Sequence, residues 1–303
     1  METEGRMELR DIDIFLTLCE ELHFGRTAER LHITQARVSQ SIKQQERRIG
    51  APLFERTSRS VRITPIGARL RDDLRSARAL IDGGLARAVG TAQGVRGTLR
   101  LGTMGALGNE LRPVVEEFGA RHPGAEVAVG EFHFSDPFAG LRSGEFDAQL
   151  MWLPVLEEDL TAGPVLRTEG RVLAVAEGSE EARRGSVSVE DLADHRVPDT
   201  GPDAPGYWIA SMIPERTPQG RPVRRGERAR TFHEVLSLVA AGRAVCPLNA
   251  HVARYYTFPG ITYVPVHDAP LTEWALVWRT GAQTPLVRAF ARAGRDLGVH
   301  RVA

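Results

Sequence analysis

The 303-residue chain has two cysteines, a single lysine and no apolar run approaching the roughly 18 residues that a membrane-spanning helix requires. Cys19 and Cys246 are far apart and no CxxC occurs, so neither a disulfide framework nor a thiolate zinc site is encoded. Both thiols read as small buried hydrophobes. The nine histidines are scattered and none falls in HExxH, which argues against a metal enzyme. The opening METEGRMELRDIDIF lacks a basic segment followed by an apolar core, so a soluble cytoplasmic protein without membrane contact is expected. No nucleophile motif, P-loop, Rossmann glycine series or carboxylate pair at a useful spacing is found, and neither a catalytic activity nor a cofactor is expected.

What is present is an ordinary globular composition, 42% hydrophobic and 26% charged, with length for two or three domains. The 39 basic and 39 acidic side chains cancel in total but not along the chain. Between His23 and Arg71 eleven bases face three acids, a local charge of +8, and the remainder carries −8. Nucleic-acid binding depends on such a local field. An Arg-rich chain also clusters charge by composition alone, so the cluster needs a fold beside it.

The first ninety residues supply one. Leu9, Ile12, Phe15, Leu16 and Leu18, then Phe24, Ala28 and Leu31, then Ile33, Val38, Ile42 and Ile49 recur at helical spacing and predict three short helices. Thr34 can cap the third, and Gly25 and His32-Ile33-Thr34 suit the turns. A helix-turn-helix needs this economy, because its second member must present polar side chains to a groove roughly 12 Å wide. Gln35, Arg37, Ser39, Gln40 and Lys43 meet that need. The basic stretch from Glu55 to Ile63, with Arg56, Arg59 and Arg62, suits a wing along the phosphate backbone. Thr64-Pro65 then starts a long helix whose Ile66, Leu70, Leu74, Ala77 and Ile81 form one narrow apolar stripe. A second copy of the chain, or the protein's own domains, must cover it. Gly83-Gly84 sets a weak point at roughly 1 kcal/mol per glycine relative to alanine.

The segment from Leu9 to Leu74 resembles the N-terminal domain of LysR-type transcriptional regulators. The resemblance rests on FGRTAERL, the T-Q-x-x-V-S turn and recognition helix, the GAPLFER block and the T-P-I-G start of the linker helix. Ala36 stands where the family usually has proline, and a helix accepts it readily. The resemblance implies a winged helix-turn-helix in which Gln35, Arg37 and Ser39 lie at the surface of double-stranded DNA while Lys43, Arg56 and Arg59 neutralise phosphates.

From Gly97 short apolar strands alternate with amphipathic helices, the pattern of an α/β domain with a mainly parallel sheet. The candidate strands are Thr98 to Gly102, Glu126 to Val129, Phe146 to Trp152, Arg171 to Ala176, Ala244 to Pro247, Thr262 to Val266 and Glu273 to Trp278. GTLRLGTMGAL, LRSGEFDAQL, EDLTAGPVL and AAGRAVCPLNAHVA resemble, in order, the effector-binding domain of the same family, a two-lobed fold like that of periplasmic solute-binding proteins. The expected fold class is therefore α/β with an N-terminal all-α winged helix-turn-helix. Expected boundaries are 1–63 for DNA binding, 64–93 for a linker and dimerisation helix, and 97–303 for the effector domain. Lobe one is expected over 97–164 and 270–303, lobe two over 165–269.

By similarity to the family, the interlobe pocket is expected to be lined by Thr103, Met104, Gly105, Ser135, Asp136, Leu153, Thr200, Gly201, Phe232 and Pro247. Helix N-termini at that place would attract an anion, whereas the hydroxyl-poor run from Met104 to Leu107 points to an apolar or aromatic effector. The leading expectation is a homodimeric or homotetrameric regulator whose grip on an operator responds to a small molecule. An α/β small-molecule-binding protein or enzyme is the alternative, since fold alone never assigns function. A redox-triggered regulator is a third reading, and Cys246, the one cysteine of the sensory half, has no partner there.

Overall fold

The computed structural model describes residues 8–56, 60–93 and 95–302. Two compact units meet in sequence at Asp82 and Gly83. In the first, helices α1 (Leu9–Glu21), α2 (Phe24–Arg30) and α3 (Gln35–Ile49) precede a hairpin of β1 (Phe54–Arg56) and β2 (Val61–Ile63) and the start of a 29-residue helix, α4 (Pro65–Gln93). Helix α3 begins where the Thr34 hydroxyl accepts the Arg37 N–H at 3.2 Å and stops at left-handed Gly50. Its buried residues Val38, Ser41, Ile42 and Gln45 repeat at i, i+3, i+4 and i+7 and turn inward onto Ile14, Phe15 and Leu18 of α1. Phe15 and Phe54 close this core with ring centroids 5.6 Å apart.

The entry to α4 is fixed by a short polar knot. The Thr64 hydroxyl accepts the Gly67 N–H at 3.0 Å and donates toward the Pro52 and Leu53 carbonyls. A Cβ on Gly67 would collide with the Leu53 carbonyl oxygen, which explains the glycine of the T-P-I-G sequence. The helix continues through Gly83-Gly84, since two glycines do not break 29 residues of otherwise helical sequence. Its apolar stripe divides. Leu70 and Leu74 pack against the core of the first unit, so the first part of α4 belongs to that unit, which reaches Asp82. Ile66, Ile81 and Leu85 stay 50%, 38% and 63% exposed.

The second unit holds two sheets. The larger has the order β13-β6-β12-β5-β3-β4, built from β3 (Gly97–Thr103), β4 (Ala125–Glu131), β5 (Ala148–Trp152), β6 (Leu160–Glu169), β12 (Thr272–Arg279) and β13 (His300–Val302). Helices α5 (Arg112–Arg121) and α11 (Pro285–Leu297) pack together, with Phe118 edge-on to Phe290 at 5.5 Å, and α6 (Ala139–Arg142) follows β4. The smaller sheet, β10-β7-β11, combines β7 (Arg171–Ala176), β10 (Cys246–Asn249) and β11 (Ile261–Val266) beneath α9 (Phe232–Ala240). Beside it lie α7 (Glu180–Arg183), the parallel pair β8 (Arg196–Asp199) and β9 (Arg224–Arg228), α8 (Gly206–Met212) and α10 (Val252–Tyr255).

The large sheet is mainly parallel, as expected, with β13, β6, β5, β3 and β4 running one way and β12 the other. The small sheet is wholly antiparallel. The lobe change moves. Strand β6 keeps its ladder to Glu169, opposite Thr272, so residues 165–169 belong with lobe one and the chain crosses at Gly170. The sequence hid this strand behind Gly163-Pro164. That pair sits in a register shift between Ala162 and Val165, where a proline is tolerated, and a Cβ on Gly163 would collide with the Trp278 ring.

Candidate functional site

The outer face of α3 follows from its inner one. With Val38, Ser41, Ile42 and Gln45 turned to the core, Thr34, Gln35, Gln40 and Lys43 are exposed together and Arg37 and Ser39 are half-buried at their margin. Arg37 is held from below, its guanidinium 3.8 Å from the Asp11 carboxylate. That carboxylate also accepts the Ser41 hydroxyl at 2.7 Å, and the Asp11 carbonyl accepts the Gln45 amide at 3.0 Å. One residue of α1 therefore fixes the rotation of α3. The hairpin beside it exposes Arg62; Arg59 lies outside the described residues, as does the side chain of Arg56, whose backbone forms the end of β1. Polar amides, a hydroxyl and cations on one open face can meet base edges and phosphates.

The second site is a cavity of about 110 Å³ between the two sheets. The ends of β3, β4 and β5 deliver Met104, Gly105, Phe132, Phe134 and Trp152 from one side. Strand β10 and helices α8, α9 and α10 deliver Leu248, Asn249, Ile209, Met212, Phe232, Val235 and Val252 from the other, while Trp274 of β12 closes the floor. The aromatic side chains are locked. Trp152 stacks on Trp208 at 3.7 Å and 8°, meets Trp274 edge-on at 5.6 Å, and its carbonyl accepts the Trp208 indole N–H at 3.1 Å. Phe232 stands edge-on to Tyr256 at 4.8 Å. The Tyr256 hydroxyl crosses to lobe one and accepts the Ala106 N–H at 3.0 Å, over left-handed Gly105, where any Cβ would collide with it.

A buried charged network lies behind the floor. His251 Nδ1 is 2.9 Å from Glu169, which also accepts the His251 backbone N–H at 2.7 Å. Arg167 stands between Glu169, at 3.4 Å, and Glu110, and Glu110 is further met by Arg254 at 3.1 Å and by the Tyr255 hydroxyl. Burial pushes the Glu169 carboxyl up, but the His251 hydrogen bonds and the Arg167 charge outweigh it and hold the group below its ordinary value. Glu110 is lowered in the same way, burial being opposed by the Tyr255 hydrogen bond and the Arg167 charge. Cys246 lines the cavity as a neutral thiol, pushed up to about 12 by burial. Among the described residues no cluster of His, Cys, Asp and Glu could hold a metal ion, and no helix is long and apolar enough to cross a membrane.

Of the ten residues expected around the pocket, Met104, Gly105, Thr200, Phe232 and Pro247 line the cavity. The other five do not. Thr103 is buried, with its hydroxyl turned under the following turn toward Gly108. Ser135 and Asp136 sit in the turn where the chain leaves the cavity after Phe134; Asp136 accepts the Ala139 N–H, and burial together with Asp203 raises its carboxyl. Leu153 follows Trp152 and faces the opposite way, into a shallow groove with Val165 and Leu271, as alternation requires. Gly201 turns away against the Arg228 guanidinium. Sequence reasoning missed Trp152, Trp274, Asn249, His251 and Tyr256 as lining residues. Period-two alternation could have found the two tryptophans, one at the end of β5 and one on its partner β12.

Comparison with known proteins follows this division. Residues 9–68 match the family described as bacterial regulatory helix-turn-helix protein, lysR family, and residues 92–297 match the LysR substrate binding domain. The chain is 28% identical over 286 residues to the HTH-type transcriptional regulator AlsR of Bacillus subtilis, covering 94% of each chain. It is 29% identical over 290 residues to IlvR of Caulobacter vibrioides, covering 94% of this chain and 97% of that one. Among solved structures, CbnR, a LysR family transcriptional regulator, superposes with a TM-score of 0.67 at 19% identity over 96% of this chain and 99% of its own. A full-length OxyR variant from Pseudomonas aeruginosa gives 0.59 at 23% identity over 96% and 95%.

Proposed function

The chain belongs to the LysR family of bacterial regulators, and from that premise we propose that it is a DNA-binding transcription factor controlled by a small molecule held between the two sheets of its second unit. On this reading residues 1–63 hold double-stranded DNA, 64–93 join two copies and 97–303 sense the effector. It works in the cytoplasm as a homodimer or homotetramer, with no catalytic step, metal or cofactor. The carrying observation is the exposed polar face of α3, capped by Thr34 and braced by Asp11, beside a hairpin that exposes Arg62. The DNA-contacting set remains Thr34, Gln35, Arg37, Ser39, Gln40, Lys43, Arg56 and Arg59. Pairing of copies is supported by Ile66, Ile81 and Leu85, an exposed apolar edge along α4 that a second helix would cover. Full-length CbnR, whose fold this chain shares, has been solved in complex with its target DNA.

Binding of the purified chain to DNA upstream of its own gene, measured across salt concentrations, tests the reading. Lys43→Ala is expected to lower the log–log salt slope by about one unit and to weaken all duplexes alike, whereas Gln35→Ala changes the preference between specific and random DNA. A folded chain that holds no duplex at low salt defeats it. The effector-contacting set now takes Met104, Gly105, Thr200, Phe232 and Pro247 from the sequence and adds Trp152, Trp274, Asn249 and His251 from the cavity lining.

A further inference from the structure

The two lobes of the second unit meet through α8 and through α10, and the two joints are made of different materials. At α8 the joint is burial. Trp152, at the end of β5, lies flat on Trp208, which is 0% exposed, and each indole N–H donates to the other residue's backbone carbonyl. Phe138 of lobe one adds an edge-on contact to Trp208 at 6.1 Å. Parting the lobes here would turn two indoles out into water.

At α10 the joint is polar and open to solvent. Arg254, its side chain 52% exposed, pairs with Glu110 of lobe one at 3.1 Å, and the Tyr255 hydroxyl donates to the same carboxylate. Tyr256 then crosses to lobe one, where its hydroxyl accepts the Ala106 N–H at 3.0 Å. Ala106 stands at the start of a short helical segment, Gly105–Leu111, where a backbone N–H has no helical partner, so the tyrosine supplies one. Such contacts exchange for water at little net cost, and the ion pair weakens with salt. Of the four residues of α10 only Val252 is buried. The exception to this openness lies just before the helix. The His251 ring and backbone N–H are both held by the buried Glu169 carboxylate.

We propose that α10 is the latch of the cavity: it pivots about the His251–Glu169 pair, releases Glu110 and Ala106 together, and opens the cleft there while the Trp152–Trp208 stack holds the lobes at α8. Val252 and Tyr256 line the cavity beside Gly105, so release of the latch opens a way into it. The proposal rests on the reading of the cavity as the effector site and adds its gate: the effector enters and leaves past α10.

Amide hydrogen exchange, followed residue by residue by NMR on the full chain with neither effector nor DNA, tests this. Three N–H groups report on three joints. Ala106 reports the latch, His251 the pivot, and Leu156, which donates to the Tyr207 hydroxyl of α8 at 3.0 Å, the far joint. Tyr255→Phe leaves the Ala106–Tyr256 bond itself intact, yet it is expected to speed Ala106 exchange about fivefold, the equivalent of one hydrogen bond, while His251 and Leu156 stay protected. Arg254→Gln is expected to act in the same direction by a smaller factor that shrinks as salt is raised. Tyr207→Phe is expected to free Leu156 and leave Ala106 as it was. Unchanged Ala106 exchange in Tyr255→Phe overturns the proposal. A rise shared equally by all three amides overturns it too, because the lobes then part as a whole or the unit unfolds. With no effector in the assay, either failure leaves the reading of the cavity standing.

Discussion

Arg167 is 2% exposed and stands between two carboxylates, Glu110 and Glu169, that are themselves buried. Removing one partner from such a group leaves the others as uncompensated charge, so Arg167→Ala is expected to destabilise the second unit by about 3–5 kcal/mol. Urea denaturation followed through the tryptophans, all four of which lie in that unit, reads this directly. The same carboxylates give the unit an acid limit. Both are held below their ordinary values, so their contribution to stability is complete above the unfolded carboxylate pKa of about 4.3 and is lost as pH falls through the lower folded values. The melting temperature of the second unit is therefore expected to hold steady down to about pH 5 and to fall below it. Glu169→Gln should make the acid limb shallower; an unchanged limb would place the titrating groups elsewhere. None of this network could be read from the sequence. Glu110, Arg167, Glu169 and His251 look like scattered surface charges until three elements bring them together.

Elements differ in how openly the sequence declares them. Helix α3 was legible because everything that makes it is local: Thr34 at its start, Gly50 at its end and an apolar stripe at the helical period. Its outer face then follows by subtraction. Thr34→Ala is expected to cost about 1 kcal/mol of stability in the first unit and to weaken DNA binding by fraying the turn that carries Gln35. Strand β6 was not legible, because Gly163 and Pro164 break the strand pattern and only the bulge opposite β12 and the ring of Trp278 explain them. Helix α4 lies between these cases. Its stripe was visible, but the sequence could not tell that Leu70 and Leu74 are spent on the first unit's own core while Ile81 and Leu85 remain open. Ile81→Glu is accordingly expected to weaken self-association at least tenfold, about 1.4 kcal/mol, with the monomer still folded. Sedimentation equilibrium decides it, and an unchanged association constant would move the pairing surface off α4.

For the whole molecule, regulation requires that the ligand prefer one state of the DNA-binding assembly over another, since equal affinity for both shifts nothing. Linkage makes this testable without knowing the mechanism. Whatever factor a ligand applies to operator affinity, the operator must apply to ligand affinity, and the two are measured by independent titrations. Unequal factors would mean that the ligand acts on a different species from the one that binds DNA.

The sequence by itself determined the winged helix-turn-helix, the polar face it presents and the alternation of strands and helices beyond it, because caps, turns and periodicity act over a few residues. The tertiary structure alone decided which strands share a sheet, where the lobes divide and what faces the cavity. Trp152, Asn249 and Trp274 are separated by up to 122 positions and meet only because β5 pairs with β12 and β10 closes over them. Hydrogen bonding and burial between distant segments set that arrangement, and no local pattern encodes which distant partner a strand will find.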